Sequence, residues 1–196
     1  MEEQYDYPDL SVGHVLRRSW EIFRANMGLV FAIAVVQVLI LSIAGVIPVL
    51  SLLVAGPLTA GCNYTLVRLV RGEDVEIRDV FDGFKEFGRT LGVSLAEIVL
   101  ILLGTILLIV PGVIVAVGLF PALYLVLDAD HGVKDTLRVS WELTRGYKWD
   151  LFVLSVVVFL LCLLGVLALV IGAVFVGVYA TVVMATAYDE LSKRRA

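Results

Sequence analysis

Two cysteines, two histidines and no excess of basic charge leave this 196-residue chain little of what usually builds an active centre. Cys62 and Cys162 both fall inside long apolar stretches, where neither a structural disulfide nor a metal site is a natural assignment. His14 and His131 stand apart from any Ser, Cys or acid arrangement that would form a triad. No phosphate-cradling Walker loop and no dinucleotide fingerprint occurs. The sequence therefore offers no catalytic, cofactor-binding or metal-ligating residue, and the chain is not expected to be an enzyme. With 15 Lys and Arg against 19 Asp and Glu, it also lacks the basic footprint of a nucleic-acid binder. The first 26 residues are polar and acidic, so no cleavable leader is expected.

What the chain has instead is hydrophobicity. Apolar residues make up 60% of it, and its mean hydropathy is +0.98, values that a soluble domain of this size does not carry. About six stretches have the length and composition of spanning helices: Met27–Ile47, Val49–Val70, Leu91–Val110, Val113–Leu127, Leu151–Ala168 and Val170–Tyr188. The expected fold class is all-α, a polytopic membrane protein with one membrane domain over 1–196.

The 15 basic residues sit in four clusters, Arg17–Arg24, Arg68–Arg89, Lys134–Lys148 and Lys193–Arg195. Between them, Gly45–Pro57, Ile106–Phe120 and Leu163–Val178 carry no charge. Basic residues are retained on the cytoplasmic side during insertion. The pattern predicts a multi-pass protein of a prokaryotic inner membrane, with both termini cytoplasmic and hairpins reaching outward.

Self-comparison adds an internal repeat. Val12-Gly-His-Val-Leu-Arg-Arg-Ser-Trp-Glu-Ile-Phe-Arg24 recurs without a gap as Val133-Lys-Asp-Thr-Leu-Arg-Val-Ser-Trp-Glu-Leu-Thr-Arg145. A weaker middle copy runs from Ile77 to Arg89, and an Asp precedes each copy, at Asp9, Asp74 and Asp130. The repeats are bounded at 9–72, 73–128 and 129–196, each an amphipathic interfacial helix followed by a transmembrane hairpin. In the first copy Val12, Val15, Leu16, Ser19, Trp20, Ile22 and Phe23 share one arc. All three units enter from the same side, so the repeats are parallel. Expected hairpin tips are Pro48, Pro111-Gly112 and either Gly165 or Gly172. Gly56-Pro57 and Pro121 are expected to kink their spans. Ala173, Gly177, Thr181 and Ala185 form a stripe of small residues suited to close helix packing.

Few residues remain as functional candidates. Glu97 is the one ionisable side chain well inside a predicted span, about 10 Å from its start at 1.5 Å per residue. An acid there either binds a proton, cation or headgroup, or reaches back to the interface or to an Arg. Asn63, Tyr64 and Thr65, with Gln37 and Ser42, either line a polar cavity or hydrogen-bond between helices. Asp128-Ala-Asp130-His131 has the look of a metal-binding Asp-x-Asp, but the recurrent Asp just before a helix is better read as a cap. The pairs Glu21/Arg24, Glu86/Arg89 and Glu142/Arg145 either tie the interfacial helices into a ring or are simply solvated.

At Gly56-Pro-Leu-Thr-Ala-Gly61, Arg71–Phe84 and Ser140-Trp-Glu-Leu-Thr-Arg-Gly-Tyr-Lys-Trp149 the chain resembles a known group. It is similar to the membrane domain of some bacterial glycerophosphoryl diester phosphodiesterases and its stand-alone, uncharacterised prokaryotic relatives. In those enzymes the catalytic acids and metal ligands reside in a separate soluble barrel. The resemblance therefore implies a six-helix membrane module without hydrolase chemistry. The sequence favours a non-enzymatic module that binds lipid or a protein partner, or a second copy of itself, through its cytoplasmic helices. The alternative is a small transporter or channel with Glu97 as its intramembrane acid.

Overall fold

The computed structural model describes residues 11–107, 109–128, 132–167 and 169–193, the side chains of 107, 109–111, 165–167 and 169–173 excepted. Asp9, Asp130, His131, Arg194 and Arg195 lie outside the described residues. Every regular element among the described residues is helical: α1 Val12–Ala25, α2 Met27–Ala44, α3 Pro48–Val70, a 3₁₀ turn Ile77–Phe81, α4 Asp82–Lys85, α5 Phe87–Leu107, α6 Ile109–Leu119, α7 Ala122–Asp128, α8 Val133–Leu143, α9 Lys148–Leu167 and α10 Leu169–Ser192.

Four segments are long and apolar enough to cross a membrane: Met27–Ala44, Pro48–Val70, Phe87–Ile106 and Val174–Ser192. The chain is thus an all-helical, polytopic membrane protein. The expected fourth span is a shorter apolar stretch, Gly112–Asp128, and the expected fifth is α9, which turns 91° from α8. At Phe120-Pro121 helix α6 gives way to α7, because Pro121 cannot donate to the carbonyl four residues back.

Pro48 starts α3 at its first position, where its missing N–H has no intrahelical partner to lose. The other tips differ from expectation. Pro111 and Gly112 lie inside α6 rather than between helices. Pro111 sits in the first turn of α6, which also lacks intrahelical donors. Gly165 and Gly172 likewise lie inside α9 and α10.

Helix α3 is the axis of the fold. Its C-terminal half is almost wholly buried, and α2, α5, α7, α10 and the Ile77–Lys85 segment all pack against it. Two glycines allow that crowding. A Cβ on Gly61 would lie 2.9 Å from the Val80 carbonyl carbon, and one on Gly83 would lie 2.8 Å from that of Pro57. Backbone meets backbone here, which only glycine permits. The same crossing explains why the middle amphipathic segment is not one helix. Held against α3, it forms a 3₁₀ turn and a single α-turn, broken at Glu86.

Helix α3 ends in a Schellman motif: Gly72, at φ +80°, donates to Leu69 O, and Glu73 donates to Arg68 O. Helices α1 and α8 are amphipathic, as their spacing predicts. Val15, Ser19 and Phe23 are buried in α1, and Thr136, Ser140 and Thr144 are buried at the corresponding positions of α8 and its C-cap. An aromatic cluster fastens α1 to α10: Phe23 lies 5.2 Å from Phe175 and 5.5 Å from Tyr179, whose hydroxyl donates to Leu16 O.

The small-residue stripe on α10 packs closely only in part. Ala185 is fully buried in the core, whereas a Cβ added at Gly177 would meet open space, and the side chain of Ala173 is not described. Val182, Val183, Ala187 and Leu191, all fully buried, add to the packing of α10.

Candidate functional site

The middle of α1 and the C-terminal ends of α3, α7 and α10 converge on a buried ionic cluster. Arg18 donates through Nη2 to Asp189 at 2.8 Å and through Nη1 to Glu190. Arg71 donates through both Nη atoms to Asp128, at 2.6 and 3.0 Å, and through Nε to Asp189 at 3.2 Å. Tyr188 donates its hydroxyl to Asp128, and Lys193 pairs with Glu190 at 2.7 Å. The acids are scarcely exposed, at 8% for the Asp189 side chain and 2% for Glu190. Charged groups can be buried this deeply only when paired and hydrogen-bonded. Donation to Asp128 raises the Arg71 pKa against the opposing effect of burial, so this guanidinium stays charged.

This cluster balances Arg18, Arg71 and Lys193 against Asp128, Asp189 and Glu190. It acts as a lock on helix ends rather than a site open to ligand. Sequence reasoning missed it, because the pairs that join its helices link residues more than 50 positions apart. One signal was available: Asp189-Glu190 follows directly on an apolar run, where acids need nearby cations.

A second feature forms where α8 meets α9. The break at Phe120-Pro121 frees the carbonyl of Gly118, which would otherwise accept from Ala122. Ser140 and Thr144 both donate to it at 3.2 Å. Trp141 then lies directly over Gly118, with ring carbons 2.5 Å from where a Cβ would stand. On the indole sits Lys148 Nζ, 3.1 Å from the ring centroid, a cation–π contact. Gly146, at φ +95°, makes the turn that brings Lys148 back over Trp141. The result is an open hollow of about 580 Å³ lined by Trp141, Glu142, Arg145, Gly146, Lys148 and Trp149. Glu142 accepts from Arg138 at 3.0 Å.

Glu97 is the central residue of α5, about 15 Å from either end at 1.5 Å per residue. It lies deeper than the sequence suggests, because α5 begins at Phe87 rather than Leu91; the Thr90 hydroxyl, bonded to Gly83 O and Glu86 O, supports those added residues. Glu97 lines a cavity of about 290 Å³ with Thr59 and Ser94 among apolar walls that include Leu52, Ile98, Ile101 and Leu123. No ion pair reaches it among the described residues, so it does not pair with an interfacial Arg.

The other candidates are dispersed. Thr65 donates to Gly61 O within its own helix, and Tyr64 lies beneath the Arg68 guanidinium, 5.9 Å from it. Ser42 is exposed. Gln37 and Asn63 differ by about 8 residues in distance from their hairpin tip, or about 12 Å, so they do not share one cavity. Of the three Glu-x-x-Arg pairs, Glu86–Arg89 forms, at 3.3 Å. Glu142 pairs with Arg138 instead, because α8 ends at Leu143 and Arg145 falls in the following turn. Glu21 and Arg24 are both exposed and make no ion pair with each other.

The profile of a family described as a protein of unknown function, DUF975, matches residues 94–195, just over half of the chain. The chain belongs to DUF975. No curated protein and no solved structure matches it. Nothing found links it to the membrane domain of a glycerophosphoryl diester phosphodiesterase. The DUF975 match takes in Glu97, the Trp141 hollow and three acids of the ionic cluster, and leaves out Arg18 and Arg71.

Proposed function

We propose that the chain is a non-enzymatic membrane module that binds lipid through the helices at its charged end. One observation carries this reading: α1 and α8 bury corresponding positions and turn charge and indole outward. Trp20, Trp141 and Trp149 are exposed beside Arg17, Arg24, Arg138 and Arg145. A surface of indoles and cations beside apolar helices suits the headgroup layer of a bilayer. The charged end would then be the cytoplasmic face of a prokaryotic inner membrane. The repeat in sequence would be three parallel units, the middle one shortened where it crosses α3. The test is lipid retention by native mass spectrometry, after extraction from membranes of mixed headgroup. Preferential retention of anionic phospholipid is expected; equal retention of zwitterionic lipid would sink the idea.

A transport function is favoured by one specific observation, the mid-span carboxylate of Glu97 without an ion-pair partner among the described residues. An intramembrane acid is a functional candidate by default. Against it stand the small cavity and its apolar walls. Liposome flux of wild type against Glu97→Gln separates the readings. Flux that exceeds empty vesicles and vanishes in the variant would replace lipid binding as the primary role.

A further inference from the structure

The Trp141 hollow does not stand alone. On its membrane side runs an apolar cleft of about 360 Å³ between α6 and α9, lined by Val113, Val117, Phe120, Phe152, Val156 and Phe159 among others. Two contacts join cleft to hollow. Trp149 of the hollow stacks on Phe152 of the cleft, with centroids 5.7 Å apart. Trp141 rests on Gly118, which lies between the cleft residues Val117 and Phe120. From Lys148 to Phe159 the distance along α9 is about 16 Å at 1.5 Å per residue. That is close to the depth of one leaflet, half of a hydrocarbon core about 30 Å thick.

We propose that the hollow and cleft together hold a single anionic phospholipid. Its phosphate meets Arg145 and Lys148 between the indoles of Trp141 and Trp149, and one acyl chain lies in the α6–α9 cleft. This rests on the lipid-binding reading and names its site and lipid class. The argument is complementarity at both ends. Among the described residues, Arg145 and Lys148 bring two cations to the lining of the hollow beside the indoles of Trp141 and Trp149, with Glu142, which accepts from Arg138, as its acid. The cleft is apolar, with Ser155 its one hydroxyl, which donates to Leu151 O within its own helix. Both volumes fall in the range of small-molecule sites, about 300–1,000 Å³. A free anion would use the hollow but leave the cleft without a purpose, so the source of the phosphate is a lipid.

The test measures binding of phosphatidylglycerol to the purified full chain, in nanodiscs of phosphatidylcholine doped with phosphatidylglycerol. Four proteins are compared: wild type, Arg145→Gln/Lys148→Gln, Val156→Trp to fill the cleft, and Arg78→Gln/Lys85→Gln, two exposed cations paired within their own segment, as a charge-matched control. At about 1 kcal/mol per basic residue near a membrane surface, the first pair should weaken retention about 30-fold. Val156→Trp should weaken it with the cations intact, and the control should stay within about threefold of wild type. Thermal melts by circular dichroism establish that each variant is folded, and Lys148→Arg should restore binding in place of Lys148→Gln. Equal loss in the control would mean diffuse surface attraction and overturn the site while keeping the broader reading. So would competition by millimolar inorganic phosphate, which would mark a free-anion site. A wild type with no preference for phosphatidylglycerol would end the broader reading itself.

Discussion

Asp189 is held by two guanidiniums from different helices, and this makes the ionic cluster testable as a unit. Replacing Arg18 with Met removes one cation from Asp189 and one from Glu190, yet Arg71 and Lys193 remain to serve them. Removing one partner of a buried pair costs about 3–5 kcal/mol when the survivor is left alone. Arg18 is 27% exposed at its side chain and neither acid is orphaned, so about 2 kcal/mol is expected. Arg71→Met should cost about the same, since Asp128 keeps the Tyr188 hydroxyl and Asp189 keeps Arg18.

The double variant differs in kind. Asp189 then has no guanidinium while its side chain stays 8% exposed, so the loss should exceed the sum of the singles by at least about 1 kcal/mol. Unfolding by SDS titration in mixed micelles, followed by circular dichroism, measures this coupling. Adding Asp189→Asn to the double variant removes the orphaned charge and should recover part of the loss. Additive single effects, or no recovery from Asp189→Asn, would show that the guanidiniums are not joined through Asp189 and would refute the lock.

Four further outcomes follow from packing, hydrogen bonding and buried charge. Gly83→Ala should cost about 3 kcal/mol, because its Cβ meets backbone of Pro57 and Gly61. Gly88→Ala, in open space on α5, should be neutral or stabilising by up to about 1 kcal/mol in the same unfolding assay. Ser140→Ala with Thr144→Val leaves the Gly118 carbonyl without its two donors and should cost about 1–3 kcal/mol, more than the two singles together. Glu97→Gln removes a mid-span carboxylate with no ion pair described, and should stabilise the fold by about 1 kcal/mol. A lower melting point would instead show that the carboxylate serves the native packing.

The apolar runs, Pro48 and the Ser-Trp-Glu repeat made the helical, polytopic fold legible, because each reports on a local requirement: length, a missing donor, a periodic face. What escaped depends on contacts between distant segments. The 3₁₀ turn at Ile77–Phe81 arises because Gly83 and Gly61 let the segment lie against α3, and nothing within the segment says so. The break after α6 was foreseen from Pro121, but its repair by Ser140 and Thr144 was not. Nothing local to Ser140 and Thr144 marks them as the donors a broken helix needs. Glu97 was found, since a lone acid in an apolar run is a local signal. Asp189 and Glu190 were passed over as the end of a span.

The lock also bears on where lipid affinity can reside. At the charged end most cations are matched by acids: Arg18 and Lys193 with Glu190, Arg71 with Asp128, Arg68 with Glu73 and Asp79, Arg89 with Glu86, Arg138 with Glu142. A surface so matched has little net attraction for an anionic headgroup, in keeping with a net charge of −4. Attraction must come from where cations gather beside indoles in one place, and among the described residues the Trp141 hollow, lined by Arg145 and Lys148, is such a place. The α6–α9 cleft adds no hydrophobic drive, because a lipid tail is already in hydrocarbon before it binds. Its contribution is shape, aligning one chain so that the phosphate sits between two indoles. Headgroup charge should therefore decide which lipid is retained, while the cleft decides how long it stays. Filling the cleft in Val156→Trp should raise the dissociation rate of phosphatidylglycerol and so weaken its retention, and an unchanged rate would show that the cleft holds no acyl chain.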